Sequence, residues 1–333
     1  MSAIDLHAAH EAIRRRARLR PVELLFWTGL AISYFLFPSH LVLLTQIMIS
    51  GLFAMSLDLL LGYGGIPSFG HAAFFGLGAY AAGLLAVHGW GEPLTGLAFG
   101  GAVAGIAGFV FSIVIGRVHG AAILMVTMCV GLLVYEGASR MPWLTGGDTG
   151  LQGIEMWPLL GRFDFDIFGK SAFWYSYCVA LILYLAARVY VSSPEGLALE
   201  GMRENSARIP ALGISTRSRK MIAFTISATV AGLAGALLAQ TTQVVALEAL
   251  SFERSVSTLI ILIVGGLGSL IGGFLGAAAF TWLRDVLSAL NPVYWMFWLG
   301  LVLIAMVLVA RGGIMGGLEA ASRLLSRRSG DIP

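Results

Sequence analysis

The side chains able to do chemistry are few, and their spacing limits what they can do. Six histidines, His7, His10, His40, His71, His88 and His119, show no metal-ligand spacing, and neither HExxH nor GxSxG occurs. An enzyme reading therefore finds little support. Cys129 and Cys178 each stand inside an apolar run, so they read as packing residues rather than as a disulfide framework or a metal site. The string DFDIFGKS at 164–171 ends like a phosphate-binding loop, but that motif needs glycine where Asp164 stands, and a strand and helix around it. An aspartate there repels phosphate. No nucleotide site, metal or cofactor is expected in this chain, and any ATP chemistry must lie in a partner.

The remaining chemistry belongs to charges set in apolar sequence. The chain is 58% hydrophobic and 12% charged, with a mean hydropathy of +0.85. Soluble domains run at roughly 45–50% apolar and roughly 25% charged, so this is an integral membrane protein whose constant partner is lipid. The net charge of +3 is too small, and too clearly sorted into loops, for a nucleic-acid partner. Ionisable groups inside membrane segments flag function by default. Asp58, Glu136 and the adjacent Arg284 and Asp285 are of this kind, and they make a proton or sodium relay the second reading. Arg284 and Asp285 lie near a helix end, which favours interfacial anchoring. His71 is either a hydrogen-bonded structural group or a ligand.

Ten apolar runs must position these groups, at about 22–37, 41–61, 72–87, 94–115, 120–138, 172–191, 221–245, 256–264, 274–290 and 293–310. The expected fold is an all-α polytopic membrane protein of about ten transmembrane helices. The membrane domain covers 22–310, between a basic tail at 1–21 and a second tail at 311–333. The arginine-rich start resembles a signal peptide, but Phe37-Pro38-Ser39-His40 lacks the small-residue cleavage pattern, so the first run is expected to stay as a span. With both termini in the cytosol, 16 of the 21 Lys and Arg fall on the cytosolic side, as the positive-inside rule requires. The loop at 140–171 has no positive bias and belongs outside.

Glycine marks two further features. Gly62, Gly64, Gly65, Pro67 and Gly70 cannot easily propagate a helix, yet no charge draws them into water. Such backbone is tolerated at membrane depth where protein or a water-filled cavity satisfies it, so the segment is either part of a translocation path or a tightly packed turn. GGLGSLIGGFLG at 265–276 echoes GGIPSF at 64–69 on the same side of the membrane. Elsewhere Gly100, Ala104 and Gly108 recur at four-residue spacing, as do Ala228, Gly232 and Ala236, and Ala231, Gly235 and Ala239. These stripes let neighbouring helices approach closely. The polar end Gln240-Thr241-Thr242-Gln243 either caps its helix or faces a cavity.

The longest charged segment between apolar runs is 192–220, where Arg203, Arg208, Arg217, Arg219 and Lys220 outnumber Glu195, Glu200 and Glu204. Pro194 opens a helix, Glu195 suits its N-terminal dipole, and Leu197, Leu199, Met202 and Ile209 form an apolar stripe. Pro210 then breaks the helix, and Gly213 permits a turn. On charge alone this is either a solvated connector or a docking segment.

MRENSARIPALGIS followed by KMIAFTISATVAGLAGALLA resembles the cytoplasmic signature of permease subunits of ABC importers for branched-chain amino acids. LLLGYGGIPSFGHAAFFGLGAYAAGLL at 59–85 and LTGGDTGL at 144–151 are similar to the same family, and the resemblance runs over roughly 50–313. It implies that 192–220 is a coupling loop docking on cytosolic ATPase subunits, with Arg203, Glu204, Asn205, Leu212, Gly213 and Ile214 at the matching positions. Gly201, Pro210 and Arg219 depart from the pattern. The resemblance also implies a second related permease, a solute-binding protein landing on the outer loop, and residence in the bacterial inner membrane. Gly64, Gly65, Ser68, His71, Tyr80, Thr127 and Gln240 are the residues assigned to the translocation path. Ala121, Ala122 and Ile123 replace bulky and aromatic residues usual in the family, which leaves the cargo open between branched-chain amino acids, urea, short amides and aromatic acids.

Overall fold

The computed structural model describes residues 21–165, 169–205, 209–309 and 312–317. The tail before residue 21, part of the phosphate-loop lookalike at 166–168, Arg208 and the C-terminal tail from 318 lie outside the described residues, as does Arg311. Eleven helices of eight residues or more are described: α1 Pro21–Leu36, α2 Leu41–Asp58, α3 His71–Val87, α4 Pro93–Ile115, α5 Ala122–Ser139, α6 Lys170–Ser192, α7 Pro194–Asn205, α8 Thr216–Thr242, α9 Phe252–Gly265, α10 Gly272–Leu290 and α11 Trp295–Val309. Extended pairing among the described residues is limited to two isolated antiparallel bridges.

Five stretches are long and apolar enough to cross a membrane: Pro38–Tyr63, Pro93–Ile115, Ala122–Ser139, Lys170–Ser192 and Thr216–Thr242. Val22–Leu36, His71–Val87 and Trp295–Ile304 are apolar but shorter. Glycine accounts for some of that shortness. The segment before His71 is not helical, and α9 stops after 14 residues because Gly266 turns the chain at φ +111°. Two helices begin earlier than apolarity indicates. Ser251 caps α9 by accepting from the Arg254 amide at 3.1 Å, and Ser215 caps α8 by accepting from Ser218, so Arg217, Arg219 and Lys220 form the opening turns of α8.

The centre of the protein is built from the small-residue stripes. Ala228, Gly232 and Ala236 of α8 meet Gly108, Ala104 and Gly100 of the antiparallel α4. A Cβ at Gly232 would stand 2.2 Å from the Ala104 Cβ, and one at Gly108 2.3 Å from the Ala228 Cβ. The second stripe of α8 faces α3, where a Cβ at Gly235 would stand 1.8 Å from the Phe75 carbonyl oxygen. Helices in lipid gain little from the hydrophobic effect when they associate, so contact at this range is held by dispersion between backbones and small side chains. Around this core α2 is buried along most of its length, with Gly51 closing on Phe274 of α10. Trp27 anchors α1 against Tyr177, Tyr184 and Phe274, and Glu23 pairs with Arg188 to tie α1 to α6.

Candidate functional site

The two glycine breaks lie together, and α7 lies against both. After Asp58, α2 widens into a π-turn over Leu59–Tyr63 and ends on Gly65, whose φ of +63° a side chain would resist. The Gly65 amide donates to the Leu61 carbonyl at 3.1 Å and the Ile66 amide to the Leu60 carbonyl at 2.9 Å, so the turn itself satisfies these two carbonyls. From the second break the Gly268 amide donates to Asp58 Oδ1 at 2.8 Å. A Cβ at Gly62 would stand 1.9 Å from that oxygen and 2.6 Å from the Gly268 nitrogen. There is no room for one.

Helix α7 has the amphipathic character expected of it, with Leu199 and Met202 buried and Leu197 half-buried. Leu199 packs on Gly64, and the stem of Arg203 runs along Gly65, with its Cγ 3.1 Å from where a Cβ there would be. The Arg203 guanidinium donates to the Gly62 carbonyl, at a helix C-terminus where a cation is favoured. A second tether joins Glu195 at the start of α7 to Arg219 at the start of α8, so the arginine that departs from the family pattern has an ion-pair role that sequence did not reveal. Glu204, Asn205 and Gly213 are exposed, Ile214 is half-buried, and Leu212 belongs to the single turn Ile209–Leu212. Of the six positions that the family resemblance assigns to coupling, Arg203, Glu204, Asn205 and Gly213 are all exposed, and Arg203 alone among these four also reaches back to the first break, through the Gly62 carbonyl.

The residues assigned to the path separate into two groups. Ser68, His71 and Thr127 are fully buried around the first break. Thr127 accepts from the Phe69 amide at 3.2 Å, and Gly70 closes so tightly on α5 that a Cβ would meet the Thr127 carbonyl at 1.8 Å. His71 stacks on Phe53 at 5.6 Å and places Nε2 2.9 Å from Ser56 Oγ. Ser56 donates to the Phe53 carbonyl and Ser227 to the Ser56 carbonyl, leaving the Ser56 hydroxyl to accept. Nε2 therefore carries the hydrogen, and Nδ1 stays an acceptor without a hydrogen-bond partner, as the Ser68 hydroxyl does. Gln240 joins three helices: its amide donates to the Pro93 carbonyl at 2.7 Å and its carbonyl accepts from the Tyr175 hydroxyl at 2.8 Å.

Tyr80 belongs elsewhere. It lines a cavity of about 530 Å³ between α3, α4 and α5, with Leu84, Phe99, Val103, Val134 and Leu250. The walls are almost wholly aliphatic and aromatic, and the Tyr80 hydroxyl is buried without a hydrogen-bond partner. Thr145 at the rim already donates to the Ala138 carbonyl at 2.9 Å.

The charges that would serve an ion relay are engaged in other ways. Glu136 pairs with Arg140 at 2.7 Å on the exposed end of α5, and Arg284 stands 5.7 Å over the Trp295 ring. Neither these residues nor Asp58 line the cavity.

These features define a polytopic helical membrane protein with a short amphipathic helix lodged between broken spans. The chain belongs to the family described as branched-chain amino acid transport system, permease component, whose family model matches residues 39–307. It is similar to the high-affinity branched-chain amino acid transport system permease protein LivM of Escherichia coli K12, with 29% identity over 294 residues, covering 81% of this chain and 68% of that protein. The LivM of Salmonella typhimurium LT2 matches with the same identity and coverage. No solved structure matches the chain.

Proposed function

We propose that this chain is a membrane permease subunit of an ATP-driven importer that carries branched-chain amino acids across the bacterial inner membrane. The observation that carries the reading is the family match across 39–307, supported by the LivM relatives. In this reading the chain crosses the membrane about ten times with both termini in the cytosol. It works beside a second related permease and two ATPase subunits, and the residues 140–171 receive a solute-binding protein outside.

ATP binding and hydrolysis in the partners move 192–220 through Glu204, Asn205 and Gly213, whose exposure leaves them accessible to a docked subunit. The helices then rock to open the path inward. The path is assigned to Gly64, Gly65, Ser68, His71 and Thr127, with Tyr80 at its outer end and Gln240 holding α4 and α6 onto α8 beside it. An apolar chamber at Tyr80 suits an aliphatic cargo side chain better than urea or a short amide, because it offers few polar partners. The test is uptake of radiolabelled leucine into proteoliposomes that hold the complex, with binding protein outside and ATP inside, competed by valine, urea, short amides and aromatic acids. Competition by valine alone supports the assignment. Uptake driven by a proton or sodium gradient without ATP would replace it with an ion-coupled carrier.

A further inference from the structure

We propose that Asp58 and Arg203 are a positioning pair that passes movement of α7 to α2 and α9 at the same moment. This rests on the reading of 192–220 as the segment on which the ATPase acts, and it names the residues that carry the movement inward.

Three observations converge. Arg203 is an exposed charged side chain of α7 whose stem runs along Gly65 and whose guanidinium holds the Gly62 carbonyl. Asp58 crosses from α2 to the second break, where Oδ1 holds the Gly268 amide at 2.8 Å. The two contacts share one small volume: a Cβ at Gly268 would stand 3.3 Å from Arg203 Nη1 and 3.6 Å from the Gly62 carbonyl oxygen. Glycine at 62 and 268 lets backbone, carboxylate and guanidinium meet with no side chain between them.

The second oxygen of Asp58 is buried and has no hydrogen-bond partner. A buried carboxylate oxygen left this way is destabilising, and such groups in native proteins call for an explanation. Arg203 and this carboxylate meet the same residue, the guanidinium standing beside Gly268 and Asp58 Oδ1 holding its amide. If α7 shifts and the guanidinium leaves Gly62, the free Asp58 oxygen is the next acceptor across the Gly268 loop. The joint then has two seats for one guanidinium, and changing seats moves both broken helix ends together.

The test measures ATP-driven leucine uptake and ATPase rate in parallel, on the whole complex, for Arg203→Ala, Asp58→Asn and the double variant. Both single variants are expected to lose uptake by about tenfold while ATPase activity stays within about twofold of wild type, and the double variant is expected to be no worse than the poorer single, since residues of one joint are not additive. Arg203→Lys, which keeps the cation, is expected to recover most of the uptake. Wild-type coupling in either single variant, or losses that multiply in the double, would overturn the pair. Should Arg203→Ala fail to assemble, Arg203→Gln and Arg203→Lys are compared in its place, and equal uptake by these two would equally overturn it. Absence of ATP-driven uptake in the wild-type complex would instead refute the importer reading.

Discussion

Asp58 Oδ1 accepts a hydrogen bond from the Gly268 amide at 2.8 Å, joining positions 210 residues apart in the chain. That bond turns two separate glycine breaks into one structure. It also places a carboxylate, which in isolation would read as an ion relay, in a backbone-binding role.

Gly62 is the position least able to accept a side chain here. Gly62→Ala would drive its Cβ into Asp58 Oδ1 and the Gly268 amide. Overpacking and the broken hydrogen bond each cost about 1–3 kcal/mol, so a marked drop in thermal stability and loss of uptake are expected. Gly137→Ala on α5, where nothing lies within 4 Å, is the control and should melt no lower than wild type.

Gly232→Ala places a methyl 2.2 Å from the Ala104 Cβ, between helices that cannot separate without losing their packing. A loss of about 1–3 kcal/mol is expected. Gly201→Ala should behave oppositely, because its Cβ would meet only the mobile end of Ile209 at 2.9 Å. Alanine in a helix interior is favoured over glycine by about 0.8–1 kcal/mol, so this variant should melt slightly higher, as thermal denaturation in detergent would reveal.

Gly213 has φ +77° and open space around it. Gly213→Trp therefore costs about 1–2 kcal/mol of backbone strain while its Cβ has no described neighbour within 4 Å, and Glu204→Arg reverses an exposed charge. Both are expected to insert correctly, retain ATPase activity and lose transport. Full transport by either, once insertion is verified, would remove the coupling assignment.

The path assignment is open to thiol labelling. Cys129 and Cys178 are both exposed and must first be replaced by serine. Tyr80→Cys, at the cavity, is then expected to react with an aqueous thiol reagent in the resting complex, whereas Ser68→Cys and His71→Cys should react only during turnover. Ser68 and His71 variants that stay unreactive in every state would confine those two residues to packing.

Legibility from sequence differed by type of contact. The stripes Gly100, Ala104, Gly108 and Ala228, Gly232, Ala236 were readable because helical periodicity alone puts them on one face, and they pack on each other as close approach requires. The two glycine breaks were also visible, as was the amphipathic helix within 192–220. Their meeting was not visible, since a bond between Asp58 and Gly268 depends on how several helices stack. Nor was the reach of Arg203 back to the Gly62 carbonyl, because periodicity fixes which face a residue occupies and says nothing of where a long flexible side chain ends. Several of the ten apolar runs became helices shorter than a full span, and for α9 the physical reason is that Gly266 at φ +111° turns the chain and ends the helix.

The most direct measurement is uptake of radiolabelled leucine by proteoliposomes containing the complete complex, with binding protein outside and ATP inside. The account predicts uptake that needs ATP, is competed by valine, and is unchanged when proton and sodium gradients are collapsed. Leucine uptake that continues without ATP and stops when those gradients are removed would contradict it.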